Sequence, residues 1–278
     1  MQSYNQKKFH SFRADANALG GFLEEPFQKI IPTLAPVSLP AVGGFATARS
    51  EAFNLDDIIS CSSAYTRVSG REHPANGLIS ILITSAVEGL NILEVVTAER
   101  IVAQVSMSIP NDKGPLKFSL AGSRFEGLRL AGRDTRLNLN AVLQQPDNGK
   151  SGHGSPLTWQ DIQKAGRDQA KKLISSYQKR PDQDAYQWAQ NRHGWMTSVP
   201  QPGDGGNVLC SLVDGVEDAG PNESCHIVEI PGFGRIFLGE LRVSRNSVQL
   251  VMIRAELGCP VNGGATVSCV GGGGSGDG

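Results

Sequence analysis

The stretch Ile230-Pro231-Gly232-Phe233-Gly234-Arg235-Ile236-Phe237-Leu238-Gly239-Glu240-Leu241 decides the fold class. Its Pro-Gly and Phe-Gly pairs read as a tight turn, and the apolar residues that follow read as a strand. Further on, Gln249 to Leu257 alternates, with Val251, Ile253, Ala255 and Leu257 on one face and Arg254 and Glu256 on the other. Ser244-Arg245-Asn246-Ser247 lies between the two runs and predicts a four-residue hairpin connection from Arg235–Val243 to this second strand.

Upstream the texture is the same. Ile101, Ala103, Val105, Met107 and Ile109 alternate with Gln104, Ser106 and Ser108, until Pro110 and an Asn-Asp-Lys-Gly turn stop the strand. Leu116 to Leu120, Phe125 to Leu130 and Arg136 to Val142 follow as short strands between glycine-bearing turns, and Val208 to Leu212 resumes the pattern later. Many short strands, with 33 Gly and 15 Pro in 278 residues, predict an all-β sandwich or jelly-roll-like fold of antiparallel sheets.

One region breaks the pattern. Thr158 with Asp161 three residues on predicts a helix cap, and Trp159, Ile162, Gly166, Ala170, Leu173 and Tyr177 recur at spacings of three and four. Pro181 ends that helix, and Asp182 to Ala189 starts a shorter one before Gly194. The expected organisation is therefore residues 1–145 as the first part of the sandwich, 146–200 as a helical insertion and 201–270 as the closing strands. Residues 271–278, Gly-Gly-Gly-Gly-Ser-Gly-Asp-Gly, read as a flexible tail because they offer no side chains to pack.

Charge narrows the partners. Lys plus Arg number 26 against 27 Asp plus Glu, so no broad positive field exists to gather nucleic acid, and none is expected as a partner. Residues 1–10 contain no apolar run after Lys7 and Lys8, unlike a signal peptide. The most apolar stretch, Gly77 to Val96, is broken by Glu88, Asn91 and Glu94, which predicts paired strands and no transmembrane segment.

Four segments, in order, carry a resemblance: Ser38-Leu39-Pro40-Ala41-Val42-Gly43-Gly44, Val96-Thr97-Ala98-Glu99-Arg100-Ile101-Val102-Ala103, Gly122 to Gly132 and Ile230 to Leu241. Together they resemble the choice-of-anchor P family of bacterial proteins. The resemblance implies a β-rich protein, secreted or at the cell surface, whose members are attached by varied C-terminal anchors. It implies no catalytic residues. The absence of a signal-like N-terminus keeps the cytoplasm as the alternative placement.

Candidate chemistry is sparse. Gly149-Lys150-Ser151 lacks the first glycine of a phosphate-binding loop, Gly232-Phe233-Gly234 lacks the helix of a dinucleotide loop, and no Gly-x-Ser-x-Gly elbow exists. Among His10, His73, His153, His193 and His226 no zinc-ligand spacing occurs, and Cys225-His226 is the only adjacent Cys–His pair. Cys210, Cys225, Cys259 and Cys269 are the disulfide candidates, with Cys61 left over, and buried free thiols are the competing reading. Asp214, Glu217, Asp218, Asn222 and Glu223 gather enough oxygen for a weak calcium site, but without EF-hand spacing, so a solvated acidic loop is the leading reading. Trp159, Tyr186, Trp188 and Trp195 concentrate in the helical insertion, where they serve either as a ligand platform or as glue to the sheet.

The sequence thus predicts a β-rich structural or interaction module without catalysis or cofactor, acting by self-association or protein-partner binding through sheet edges and the insertion. A carbohydrate or small-ligand binder using the aromatic insertion is the alternative class. An enzyme of unrecognised type is the third.

Overall fold

A computed structural model describes residues 11–73, 78–109, 117–144, 157–198, 206–217, 220, 223–244, 247–258 and 261–275. The first strands are β1 (Ser11–Leu23), β2 (Lys29–Leu34), β3 (Val37–Ser38), β4 (Gly44–Ser50), β5 (Phe53–Leu55), β6 (Ile59–Cys61), β7 (Ser63–His73), β8 (Leu78–Ile92) and β9 (Val96–Ile109). Short strands follow: β10 (Lys117–Ser119), β11 (Arg124–Glu126), β12 (Arg129–Leu130), β13 (Arg133–Asp134) and β14 (Leu137–Leu139). Helices α1 (Trp159–Gln178) and α2 (Gln183–Thr197) intervene. The chain then resumes as β15 (Val208–Ser211), β16 (Val213–Val216), β17 (Glu223–Ser224), β18 (Ile227–Ile230), β19 (Gly234–Ser244), β20 (Ser247–Leu257) and β21 (Gly263–Ser275).

The expected all-β sandwich with a helical insertion is what forms. One sheet runs β17-β18-β19-β20-β21-β1-β2, with β15 beside β19 and β3 beside β1; the other is built on β8 and β9, with β7 and β4 extending it on one side. These long strands pair antiparallel to their neighbours. Their inner faces close on one apolar core that includes Leu19, Ile83, Ile101, Val105, Leu238, Ile253 and Val267. Each such side chain contributes roughly 1.5–3 kcal/mol by leaving water. Polar groups also bridge the layers: Ser85 Oγ donates to Asn17 O at 2.9 Å, and Ser268 Oγ to Ile101 O at 3.3 Å.

A row of irregularities crosses the first sheet. Pairing runs Asn17 with Cys269 and then Leu19 with Val267, Val251 with Cys269 and then Ile253 with Val267, and Leu238 with Ile253 and then Glu240 with Val251. Ala18, Ser268, Met252 and Gly239 are skipped, side by side. Gly239 takes φ +63° there, and Ser268 φ +50°. Because side chains alternate with period two, a local break in the strand moves the following residues to the other face. The simple alternation expected over Gln249 to Leu257 is corrected accordingly: Met252 and Ile253, adjacent in sequence, are both fully buried, and Val251 lies on the outer face with Arg254.

The glycine-rich tail is a second correction. Gly271 to Ser275 continue β21, paired with β1 on one side and, through Gly273, with β20 on the other. Glycine permits a close approach there: a Cβ on Gly272 would meet Met107 Cε and lie 2.8 Å from Ile83 Cδ1, so those two side-chain ends would have to shift. Residues 276–278 lie outside the described residues. The hairpin between β19 and β20 is also tighter than expected, since Ser244 pairs with Ser247 and only residues 245 and 246 connect them.

The insertion folds as a helical hairpin. Thr158 and Asp161 form the expected capping box, and Ile162, Gly166, Ala170, Leu173 and Tyr177 are buried along one stripe. Asp182 caps α2, which continues through Gly194 to Thr197 where the sequence suggested an earlier stop. One glycine lowers helix propensity by about 1 kcal/mol, and here burial of His193 and Met196 outweighs it.

Candidate functional site

The densest chemistry lies where the helical hairpin covers the outer face of the first sheet. The Ile230–Leu241 stretch builds it. Along β19, Arg235 and Phe237 point outward toward the helices; after the break at Gly239, Glu240 does so too, whereas regular alternation would have turned it into the apolar core. Arg254 on β20 stands opposite Phe237.

Glu240 is the anchor of the seam. Arg254 donates to it at 2.5 Å and 3.0 Å, and Arg192 of α2 at 3.1 Å. Both guanidiniums lie over the Phe237 ring, at 3.5 Å for Arg254 and 4.8 Å for Arg192. Arg254 also pairs with Glu256. Burial pushes the Glu240 carboxyl up, but the hydrogen bond and charge of Arg254, with the charges of His226 and Arg192, bring it down to about 2.

His193 and His226 sit beside this pair, both buried, with their rings edge to face at 6.1 Å. His193 Nε2 and both ring nitrogens of His226 make no hydrogen bond among the described residues. Burial, then the positive charges of His226 and Arg192, pushes His193 down to about 3. Burial likewise pushes His226 down to about 4, with Glu240 opposing and Arg192 and Arg254 adding to the shift. Both imidazoles are therefore neutral at pH 7.

A second knot continues the seam toward solvent. Glu229 accepts from Tyr177 Oη at 2.7 Å, Arg180 at 2.8 Å and Arg235 at 3.2 Å. Burial, then Glu229, raises the Tyr177 hydroxyl above the ordinary tyrosine range. Arg235 stacks on Trp188 at 4.2 Å, and Arg180 on Tyr177 at 4.1 Å. Beyond them opens a cavity of about 490 Å³, walled by Glu229, Ile230, Pro231, Arg235, Glu256 and Leu257.

The four aromatic candidates do not form one platform. Trp159 packs on the main core, while Tyr186 and Trp188 pack on the smaller cluster of Leu173, Tyr177, Ala185, Ala189, Ile227 and Phe237. Trp188 meets Tyr177 at 5.6 Å and Phe237 at 6.0 Å. Only Trp195, 45% exposed, faces solvent broadly, and its indole N–H donates to Arg192 O at 2.9 Å.

The calcium candidates are drawn to protein donors. Asp214 accepts from Asn140 at 3.0 Å and Gln169 at 2.7 Å, and Glu223 accepts from Arg133 and from the Gly220 N–H at 2.8 Å. Asp218 and Asn222 lie outside the described residues, and Glu217 lies just after β16. Among the described residues no three His, Cys, Asp or Glu side chains gather as metal ligands.

Cys61, Cys210, Cys225 and Cys269 are free thiols, and Cys259 lies outside the described residues. Burial pushes Cys210 up to about 12 and Cys225 and Cys269 up to about 11, so these thiols stay protonated at pH 7. No described helix is long and apolar enough to cross a membrane.

What sequence reasoning missed was the charged seam itself: Arg192, Glu240, Arg254 and the two histidines. Arg192-His193 and Glu240 were visible as residues, but the break at Gly239 that places Glu240 outward has no period-two signature.

Fold and seam together define a class: an antiparallel β-sandwich whose helical hairpin is clamped to one outer face by buried ion pairs and arginine–aromatic stacks. Within that class the chain belongs to the family described as a domain of unknown function (DUF8256), which matches residues 10–244. The match ends at the tip of the β19–β20 hairpin, so β20 and β21, central to the first sheet, fall beyond it. No curated protein and no solved structure matches the chain.

Proposed function

We propose that this chain is a non-catalytic interaction module that assembles with a second copy of itself by strand addition at β4. The observation that carries this reading is the edge of β4. Its seven residues pair in unbroken register with β7, from Gly44 with Gly70 to Ser50 with Ala64, and among the described residues with no strand on the other side. Such an edge offers unpaired backbone donors and acceptors, and this one carries no proline and a single charge, Arg49.

The outward side chains are self-complementary. Phe45, 69% exposed, Thr47 and Arg49 alternate along one face. An antiparallel pairing of two β4 strands about a two-fold axis at Thr47 sets Phe45 of each copy opposite Arg49 of the other, a cation–π pair at both ends. The seam under the helices supports the non-catalytic reading, since its carboxylates are committed to guanidiniums and its thiols are held protonated by burial. A place at the cell surface is part of the same proposal and rests on the family resemblance in the sequence.

Light scattering against concentration tests it. Wild type should dimerise; Phe45→Lys should be monomeric because it sets cation against cation, and Phe45→Glu should still associate. A wild-type monomer throughout, or equal association of both variants, overturns the proposal.

A further inference from the structure

The two helices hold the strands beneath them by different means. From α1 and from Arg180 just beyond it, hydrogen bonds run from Gln169 to Ser211 O at 2.8 Å and to Asp214 at 2.7 Å, from Lys172 to Asp214 O at 3.2 Å, and from Tyr177 and Arg180 to Glu229. Ser176 adds one with Ser224 at 2.8 Å. Among the described residues α2 makes a single hydrogen bond to a strand, Arg192 to Glu240. The rest of its hold is apolar: Ala185, Trp188 and Ala189 close on Ile227 and Phe237 in a cluster separate from the sandwich core, and Met196 at the far end of α2 reaches that core.

Beneath α2 lie buried polar atoms without partners. His193 stands on the helix and His226 on the sheet, where its carbonyl accepts from the Leu238 N–H at 2.9 Å. Their rings meet across the seam at 6.1 Å, and His193 Nε2 and both ring nitrogens of His226 have no hydrogen-bond partner among the described residues. Apolar rings of similar shape would fill the same space and leave nothing unsatisfied.

Protonation reverses the sense of this contact. The charged groups facing the pair are Arg192 of α2, Glu240 of β19, Arg254 of β20 and Asp214 of β16. Glu240 already accepts from both guanidiniums, and Asp214 accepts from Asn140 and Gln169. Two imidazoliums therefore add like charge to both sides of the seam, His193 beside Arg192 on the helix and His226 near Arg254 on the sheet, where every facing carboxylate is already engaged.

We propose that α2 is an acid-released latch: when His193 and His226 take up protons, α2 swings away from β18 and β19 about its Met196 end, while α1 and both sheets stay in place. Release bares Ile227, Phe237 and the inner face of α1 at Leu173 and Tyr177, an apolar and aromatic surface that is closed at neutral pH. An exposed imidazole takes up its proton near pH 6.5, and the closed seam holds both rings well below that, so closure is firm above about pH 6.5 and weakens as pH falls. The latch is independent of the β4 edge, which belongs to the other sheet.

Hydrogen–deuterium exchange of the full chain, read peptide by peptide at pH 7 and pH 5 and corrected for the intrinsic pH dependence of amide exchange, tests the latch. Opening of α2 should be more frequent at pH 5 than at pH 7 by on the order of several hundredfold, about 20-fold for each histidine. At both values α2 should open far more often than α1, β8 and β9. His193→Phe/His226→Phe should leave α2 equally closed at pH 7 and pH 5. The wild-type comparison decides by itself where that variant fails to fold. Opening of α2 that does not respond to pH, opening of α2 in step with β8 and β9 as in one global unfolding, or an acid response that persists in the folded double variant overturns the proposal.

Discussion

The buried histidine pair makes the helical clamp acid-labile, by an amount that can be worked out. His193 and His226 titrate at about 3 and about 4 in the folded chain, against an ordinary value near 6.5. The unfolded chain therefore binds more protons over the intervening range, and stability falls as pH drops below about 6.5. At pH 5 each histidine removes about 2 kcal/mol relative to pH 7, or about 4 kcal/mol for the pair, out of the 5–15 kcal/mol typical of a folded domain. The groups facing the pair are Arg192, Arg254, Glu240 and Asp214. Glu240, held at about 2, contributes stability above about pH 4.5 that is lost as pH falls through its folded value, so it adds nothing to the loss between pH 7 and 5. Urea unfolding followed by near-ultraviolet circular dichroism at pH 7 and pH 5 measures the difference. His193→Phe/His226→Phe should remove most of it. If wild type and the double variant lose the same stability between pH 7 and 5, the burial argument is wrong.

Two substitutions probe the rest of the frame. Glu240→Gln leaves the half-buried Arg192 and Arg254 without their buried carboxylate and should cost about 3 kcal/mol in urea unfolding, with the Trp188 environment disturbed. Gly272→Ala forces a methyl group against Met107 and Ile83 at the sandwich centre and should lower stability by about 1–3 kcal/mol, which a thermal melt will register.

Much of the fold could be read locally. The alternation of Ile101 to Met107, the capping box of Thr158 with Asp161, the apolar stripe from Ile162 to Tyr177 and the β19–β20 hairpin each depend on residues a few positions apart, so period and turn chemistry reveal them. The aromatic residues of the insertion were legible as a cluster, though not their use: three of the four pack inward.

The sequence by itself determined the class: a β framework, a two-helix insertion, its caps, and the balance of charge, because these follow from neighbours along the chain. The tertiary structure decided what lies between distant segments. Gly271 to Ser275, silent in any hydrophobic pattern for want of side chains, became strand because β1 and β20 supply its backbone partners and Met107 fills the space above Gly272. Glu240 reached Arg192, 48 residues earlier, because a row of breaks across four strands turned it outward. Such placements depend on how two sheets and a helical hairpin share one limited space, and no local period encodes that.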